Sequence, residues 1–273
     1  MDVNSKNVYD NTVILSISYS TTKEAGARMK GNYGNPGELL IFSHIPKTAG
    51  TTIRQIIDNQ YDKRNIIRFP QLDKLSEEEV ERAEVLYGHC RFGVHRRFNK
   101  PFSYLTMLRD PVERIISTYY FALRSPNNRM HEKVKTMSFS DFIIDEAKNE
   151  RSPMVNHQTR FLSGEKKPDL EKAKEHLHEY YSVVGLTEMF DESIFLMKKY
   201  LGWRNIDYAS SNVTAGRPKQ SEFPRGIIEI IMEKNRLDYD LYDYSKRLLN
   251  ENMQALDFVS KLEFKAFKNK QLK

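Results

Sequence analysis

Short apolar runs alternate with amphipathic segments along most of the chain. Such runs predict buried strands, because a parallel strand that is covered on both faces is apolar throughout. They are Leu39–Phe42, Val85–Tyr87, Tyr104–Leu108 and Ser182–Gly185. Apolar residues at helical spacing predict helices near residues 53–61, 112–123, 140–149, 169–180, 190–201 and 237–248. Strands that alternate with helices in this way predict an α/β fold of three layers, in which helices flank a central parallel sheet.

The clearest predicted helix begins at Pro111. Asp110 is a favoured capping residue, and proline is favoured at the first helical position. The apolar stripe of this helix leaves out Ser117. We therefore expect Ser117 to share a polar side of the helix with Glu113 and Arg114.

Changes in composition mark three parts of the chain. Residues 1–37 are rich in Asn, Ser, Thr and Gly and are predicted to form a flexible leader, with one short strand at Thr12–Ser18. Residues 38–255 carry the strand and helix pattern and are predicted to form a single domain. Residues 256–273 form a lysine-rich tail, which is typical of a solvated end.

Composition and charge narrow the class of protein. With 39% hydrophobic and 11% aromatic residues, the 273-residue chain can build a core, which excludes disorder of the whole chain. The net charge of +6 suits a protein that handles anions. A single cysteine, Cys90, excludes an internal disulfide and predicts a reducing, cytoplasmic location. No apolar stretch approaches the roughly 20 residues that cross a bilayer, so no membrane span is expected.

The most informative segment runs from His44 to Thr52, between a predicted strand and a predicted helix. Open α/β sheets bind ligands at this position, and the N-terminus of the helix offers N–H groups and a favourable dipole to an anion. Small residues at Ala49 and Gly50 let the backbone approach the anion, and Lys47 adds a positive charge. This pattern is typical of a phosphate-binding loop. The alternative is an ordinary strand-to-helix turn with a surface lysine.

The segment departs from the Walker A loop of nucleotidases, which requires G-x-x-x-x-G-K-[ST]. Here Lys47 precedes Gly50 by three residues, and Thr51 stands at the position of the Walker lysine. A generic ATPase or kinase is therefore disfavoured.

A second anion-binding position is predicted where the strand Tyr104–Leu108 ends. Arg109 follows that strand, and Ser117 lies eight residues further on in the predicted helix. Together they can hold a second phosphate, the arginine through a charge-assisted pair. The alternative is a salt-bridged arginine beside an exposed helical serine.

Together the two segments resemble the two signatures of sulfotransferases that use 3′-phosphoadenosine 5′-phosphosulfate (PAPS). Ile45–Thr52 resembles their 5′-phosphosulfate loop, and Leu108–Tyr119 resembles their 3′-phosphate segment. Both are most similar to the carbohydrate branch, which includes the heparan sulfate 2-O-sulfotransferases and bacterial relatives. Shorter likenesses to that branch are Gly88-His89, Asn156–Arg160, Val184–Glu188 and Asn212–Thr214. The resemblance covers residues 38–250 and implies a P-loop-like fold.

The resemblance implies transfer of a sulfuryl group from PAPS to a hydroxyl-bearing acceptor, with adenosine 3′,5′-bisphosphate (PAP) as the product and without a metal. Lys47 would stabilise the leaving phosphate. The 5′-phosphate would be held by Lys47, Thr48, Ala49, Gly50, Thr51 and Thr52. Arg109 and Ser117 would hold the 3′-phosphate, and Arg217 would belong to a loop that closes over the donor.

His89 is the predicted general base. It follows Gly88 and a predicted strand, so it should lie at the edge of the sheet near the loop, and histidine titrates close to working pH. Members of the family place a catalytic histidine in a matching Gly-His segment. The alternatives are His95, six residues further on, and His44, which adjoins the loop and better suits a structural role.

The segment after His89 is strongly basic. If His89 lies at the reaction centre, this segment should line an acceptor cleft that favours an anionic glycan. The candidate acceptor-binding residues are Arg91, His95, Arg96, Arg97, Lys100, Asn156, His157 and Arg160. The alternative is a solvated basic loop.

Two other classes of function stay open. A P-loop kinase would use Asp110 as a Walker B carboxylate, although no further metal-binding carboxylate pattern accompanies it. A non-enzymatic binder of an anionic polymer would depend on the net charge alone. Nucleic acid is disfavoured, because the aromatic residues fall at helical core spacing instead of among the basic residues. The sequence predicts no particular oligomeric state.

Overall fold

A computed structural model describes residues 37–69, 71–208 and 218–271. Its strands are β1 (Leu39–Ser43), β2 (Ile66–Arg68), β3 (Val85–Gly88), β4 (Phe102–Leu108) and β5 (Tyr181–Leu186). They form one sheet of five strands in the order β2-β3-β1-β4-β5, and every neighbouring pair is parallel. The predicted α/β fold with a central parallel sheet is confirmed.

The helices of the described residues surround this sheet. They are α1 (Gly50–Gln60), α2 (Glu77–Arg82), α3 (Pro111–Arg124), α4 (His131–Thr136), α5 (Phe139–Glu146), α6 (His157–Ser163), α7 (Leu170–Tyr180), α8 (Phe190–Leu201), α9 (Arg225–Lys234), α10 (Arg236–Ala255) and α11 (Phe258–Gln271). Helices α7, α8 and α10 pack against β5. None of the helices described here is long and apolar enough to cross a membrane.

Strand β1 lies at the centre of the sheet and is buried along its whole length, as its apolar sequence predicts. Ser43 at its end lies opposite Gly88 at the end of β3, and Phe42 lies opposite Leu105 in β4. Because the strands are parallel, the segments that follow β1, β3 and β4 all leave the sheet at one edge, which we call the carboxyl edge. The fold therefore brings together three segments that are far apart in the sequence.

Helix α3 begins as predicted. Pro111 is its first residue, and the Asp110 carboxylate accepts the N–H of Glu113 at 2.9 Å. That bond uses Asp110 as a helix cap, which is a structural role.

The prediction that Ser117 and Arg114 lie on a polar, solvent-facing side of α3 is wrong. Arg114 is 1% exposed and Ser117 is 9% exposed. The segment before α6 covers this side, and Arg114 donates to the carbonyl of Pro153 at 2.8 Å. Burial lowers the pKa of Arg114 to about 10.

The sequence did not predict β2, α4, α6, α9 or α11. Strand β2 has only three residues, of which one is buried. Helix α6 lacks an apolar stripe because its buried residues include the polar Gln158, Thr159 and Arg160.

The lysine-rich tail forms α11 over most of its length, and its described lysines are exposed. The ring of Phe264 lies 5.1 Å from that of Phe195 in α8, and Lys268 pairs with Glu192 at 3.0 Å. Aromatic residues interspersed among the lysines give this helix an inward face. The predicted leader, apart from Gly37, lies outside the described residues.

Candidate active site

The loop between β1 and α1 has an unusual backbone. Lys47 and Ala49 have φ angles of 72° and 58°, in the left-handed region that residues other than glycine seldom adopt. Ala49 is the N-cap of α1 and makes no side-chain cap. Backbone turns that include left-handed residues form concave sites whose N–H groups bind anions. The loop therefore has the form that a phosphate site requires.

The threonines of the loop divide into different roles. Thr48 is fully buried, and its hydroxyl donates to the carbonyl of Ile45 at 2.8 Å, so it braces the loop from within. Thr52 is also buried, whereas Thr51 is exposed in the first turn of α1. Of the three hydroxyls, that of Thr51 is best placed for a ligand.

His44 supports the loop from beneath. A Cβ atom added to Gly50 would lie 1.8 Å from Nε2 of His44, so the imidazole occupies the space that only glycine leaves. The same ring stacks on Phe42 at 5.4 Å and lies 4.6 Å from the ring of His89. Burial, followed by the charges of His89 and Lys47, lowers the pKa of His44 to about 3. His44 is therefore a neutral packing residue at neutral pH.

His89 lies beside this loop, at the carboxyl edge of β3. Its Nδ1 is 2.8 Å from the carbonyl oxygen of His44. A carbonyl oxygen only accepts, so Nδ1 carries a proton, and in the neutral ring the lone pair is on Nε2. The residue is exposed. The arrangement fixes the tautomer that a general base needs.

His95 lies elsewhere. Its Nδ1 is 2.9 Å from the hydroxyl oxygen of Tyr104, and its ring stacks at 4.0 Å on Phe102. Phe102 pairs with Leu39, the first residue of β1, so this contact is at the opposite edge of the sheet from the loop. The structure thereby corrects the assignment of His95 to the acceptor cleft, and it leaves His89 as the better-placed base.

Arg109 connects the two predicted phosphate segments. Its Nη1 donates to the carbonyl oxygen of Lys47 at 3.3 Å. The carboxylates of Glu113, at 3.3 Å, and Glu188, at 3.7 Å, hold the same guanidinium, which is 17% exposed. The arginine thus has a defined orientation at the boundary between loop and solvent.

The side chain of Lys47 lies against helix α3. The ammonium of Lys47 lies 4.0 Å from the centroid of the Phe121 ring. Phe121 is four residues beyond Ser117, so both side chains project from the same face of α3. The structure therefore brings the second predicted segment to the phosphate loop, as the sequence led us to expect.

The basic segment after His89 does not line a single cleft. Gly93 is left-handed, with φ 99°, and the turn Val94–Arg97 carries the chain away from the carboxyl edge. Arg97 pairs with Asp73 at 2.5 Å, and Arg96 lies against Gly93 near His95. Lys100 donates to the carbonyl of Glu81 at 3.0 Å, just before β3. The prediction that this segment forms one acceptor cleft is wrong for Arg96, Arg97 and Lys100.

Arg91 lies close to the carboxyl edge, because the carbonyl of the preceding Cys90 accepts the hydroxyl of Ser43, the last residue of β1, at 2.7 Å. It is exposed. It is close enough to His157 for its charge to lower the pKa of that imidazole, after burial and the charges of Arg114 and Arg160. His89 acts on His157 in the same way. Phe92, the next residue, donates its N–H to the carbonyl of Phe161 in α6 at 3.3 Å, so Arg91 lies between the end of β3 and α6.

The predicted acceptor residues Asn156 and Arg160 have structural roles instead. The side chain of Asn156 accepts the N–H groups of Leu237 and Asp238, at 3.0 and 3.2 Å. Arg160 is 4% exposed and donates to carbonyls of the segment 150–155. A guanidinium committed to backbone carbonyls cannot also bind an acceptor. Arg217 lies outside the described residues.

Sequence reasoning missed two polar residues that organise the site. Gln158 holds the main chain of Arg109 through both ends of its amide. Asp238, on α10, accepts the N–H groups of Gln158 and Thr159 at 3.0 and 2.7 Å. The run Asn156–Arg160 was noted only as a likeness to the family, and nothing local distinguishes Asp238.

The comparison with known families identifies the family of the chain. Residues 34–245, more than half of the chain, match the family described as the Sulfotransferase family. The chain belongs to the sulfotransferase family. The resemblance predicted from Ile45–Thr52 and Leu108–Tyr119 is thereby confirmed.

Curated members of the sulfotransferase family are similar at low identity. Heparin sulfate O-sulfotransferase of Drosophila melanogaster is 25% identical and covers 78% of this chain, with 65% of its own length aligned. Uronyl 2-sulfotransferase of Homo sapiens is 22% identical and covers 85% of this chain, with 64% of its own length aligned. Galactose-3-O-sulfotransferase 3 of Bos taurus is 28% identical and covers 75% of this chain, with 55% of its own length aligned. The chain thus spans 55–65% of the length of these relatives.

Among solved structures, mouse sulfotransferase SULT7A1 complexed with PAP is similar with a TM-score of 0.47 and 12% identity. The alignment covers 78% of this chain and 90% of the mouse chain.

Proposed function

We propose that the protein transfers a sulfuryl group from PAPS to a hydroxyl group of a carbohydrate. The observation that carries the proposal is the hydrogen bond from Arg109 to the carbonyl of Lys47 at 3.3 Å. A donor with phosphates on both its 5′ and 3′ positions needs two anion sites at a fixed spacing, and this bond joins two such sites. The family membership and the names of the three relatives, which specify heparin sulfate, uronyl and galactose, support sulfuryl transfer to a saccharide.

The donor-binding roles follow from position. The left-handed turns at Lys47 and Ala49 and the start of α1 would hold the 5′-phosphate, and the exposed hydroxyl of Thr51 would add a donor. Arg109 and Ser117 would hold the 3′-phosphate. The carboxylates that already contact Arg109 orient its guanidinium before the ligand arrives, so less entropy is lost on binding.

The transfer step needs a base on one side of the sulfur and a positive charge on the other. The acceptor hydroxyl gives its proton to Nε2 of His89 while its oxygen forms a bond to sulfur. The bond between sulfur and the oxygen of the 5′-phosphate breaks, and PAP leaves with the electron pair. The ammonium of Lys47 stabilises the charge that develops on that oxygen. A sulfuryl transfer of this kind uses no metal.

Fewer residues support the proposal for the acceptor than support the proposal for the donor. Arg91 is exposed in the neighbourhood of His89. A cation at this position favours a saccharide with a carboxylate or a sulfate group. We therefore propose an anionic glycan as the acceptor.

A transfer assay tests the function. Radiolabelled PAPS is incubated with uronate-containing and galactose-containing glycans, with and without EDTA, and label in the polymer is counted. We expect EDTA-insensitive labelling, together with thermal stabilisation by PAP. Stabilisation by magnesium-ATP without any effect of PAP would instead support a P-loop kinase. Polymer binding without transfer would support a non-enzymatic binder.

Variants assign the catalytic roles. His89→Ala should lower kcat by about a hundredfold or more and leave the PAP affinity nearly unchanged. His95→Ala is the matched control, because this histidine lies at the opposite edge of the sheet, and it should retain kcat. Lys47→Ala should weaken both PAP binding and turnover. Full turnover in His89→Ala would remove His89 from the mechanism.

A further inference from the structure

Gln158 clamps the main chain of Arg109. The side chain is fully buried; its Oε1 accepts the N–H of Arg109 at 3.0 Å, and its Nε2 donates to the carbonyl of the same residue at 2.8 Å. Both hydrogen-bonding groups of one backbone position therefore end on one amide. That position cannot shift without leaving buried polar groups unpaired, which costs more than the bonds themselves contribute.

Gln158 is itself held by an exchange of caps between two helices. Asp238, fully buried in the first turn of α10, accepts the N–H groups of Gln158 and Thr159 in the first turn of α6, and also the hydroxyl of Thr159 at 2.8 Å. In return Asn156, the N-cap of α6, accepts the N–H groups of Leu237 and Asp238. Each helix start thus satisfies the open N–H groups of the other.

The clamp acts at the point where the Arg109 side chain leaves the backbone. That side chain reaches the carbonyl of Lys47 at 3.3 Å and is also contacted by the carboxylates of Glu113 and Glu188. A small displacement of the Arg109 backbone would move the guanidinium away from the loop. Hydrogen bonds therefore join each residue to the next in the series Asp238, Gln158, Arg109 and Lys47.

We propose that Gln158 is a positioning residue for the 3′-phosphate site, and that Asp238 holds it in place. Through the backbone of Arg109 it sets how strongly the protein distinguishes a nucleotide with a 3′-phosphate from one without. The proposal rests on the proposed PAPS-dependent function. It assigns a role in ligand selection to two residues that do not touch the ligand.

The test compares two ligands that differ only in the 3′-phosphate, PAP and adenosine 5′-monophosphate (AMP). The variant Gln158→Met keeps the length of the side chain and removes both hydrogen bonds. The matched control is Gln60→Met. Gln60 also joins a backbone N–H and a backbone carbonyl, at Arg204 and Asn205, but at the end of α1. Asp238→Asn serves as a second variant one step further from the ligand.

The readout is the ratio of PAP affinity to AMP affinity, measured by calorimetry for each variant. Partial unfolding lowers both apparent affinities by the same factor, so the ratio reports positioning and not folding. The wild type and Gln60→Met should prefer PAP by at least about tenfold, as expected for a charge-assisted contact. Gln158→Met should reduce that preference to about threefold or less, and Asp238→Asn should change it in the same direction.

The outcomes separate the two proposals. A wild type that binds PAP no more tightly than AMP would refute the proposed function, and the inference with it. A wild type that prefers PAP, with the full preference retained in Gln158→Met, would overturn the positioning role and leave the function intact. If Gln158→Met does not fold, a full preference in Asp238→Asn overturns the proposal in the same way.

Discussion

Replacing Gly50 with alanine should damage the phosphate loop, because the new methyl group would occupy the space of an imidazole. The added Cβ would lie 1.8, 2.1 and 2.2 Å from Nε2, Cε1 and Cδ2 of His44. Non-bonded contacts settle near 3.5–4.0 Å, so the ring or the loop must move by about 1.5 Å. The ring has little freedom, since it is packed between Phe42 and His89. The loop backbone must therefore yield.

The cost follows from overpacking. Inserting a methyl group into a filled site costs about 1–3 kcal/mol. For a chain of this size, that loss lowers Tm by about 2–10 °C. PAP affinity should fall by about tenfold, because a displaced loop loses the geometry of its anion-binding groups. Both quantities can be measured on one sample, by scanning calorimetry and by titration with PAP.

Two controls make the prediction sharp. Gly226→Ala makes the same change in α9, where nothing lies within 4 Å of the added Cβ, and it should be neutral or stabilising by up to about 1 kcal/mol. The pair Gly50→Ala and His44→Ala forms a double-mutant cycle. Removing the ring should relieve the clash, with a favourable coupling of about 1 kcal/mol or more. An unchanged Tm in Gly50→Ala, or additive effects in the cycle, would show that the ring does not block this position.

Three further predictions concern charge at the same edge. Burial lowers the pKa of His44 to about 3, below the value near 6.5 of an unfolded chain. The contribution of neutral His44 to the free energy of unfolding should thus be fully present above pH 6.5. It should decrease by up to about 1.4 kcal/mol per pH unit between pH 6.5 and pH 3. Urea unfolding of His44→Asn should show a weaker decrease of stability over the same range. Phe121→Leu removes the ring beneath Lys47 and should change PAP affinity by about two- to fivefold in titration. Arg160→Met should lower Tm by at least about 5 °C without a specific change in the KM for the acceptor. Arg91→Ala should raise the KM for the acceptor and leave Tm unchanged. The reverse pattern would support the acceptor-binding role first predicted for Arg160.

The sequence predicted the parts of this site that depend on local signals. The segments around Lys47 and Arg109 each combine an apolar strand, a turn and a helix, and parallel strands bring their ends to one edge. Neighbouring positions in the chain suffice to locate such features. The place of His89 beside the loop follows from the same reasoning, because it comes directly after the adjacent strand β3.

The parts that the sequence did not predict depend on contacts between distant segments. Asp238 caps a helix whose first turn is 79 residues earlier in the chain. Arg160 was interpreted as a ligand-binding cation, but its guanidinium donates hydrogen bonds to carbonyls of a neighbouring loop. Arg96 lies away from the predicted acceptor cleft, because the chain turns at Gly93. Tertiary partners of this kind are invisible to periodicity and composition. The cytoplasmic location stays a prediction.

The placement of charge explains more than its total. The chain carries a net charge of +6, and many of its lysines are near the C-terminus. Two of them are paired there, Lys268 with Glu192 and Lys270 with Asp207, so the tail does not present an unbroken basic surface. Arg91, in contrast, is exposed two residues after His89, close to the carboxyl edge. Under the proposed function, an anionic acceptor would meet this cation near His89 and not the more lysine-rich end of the molecule.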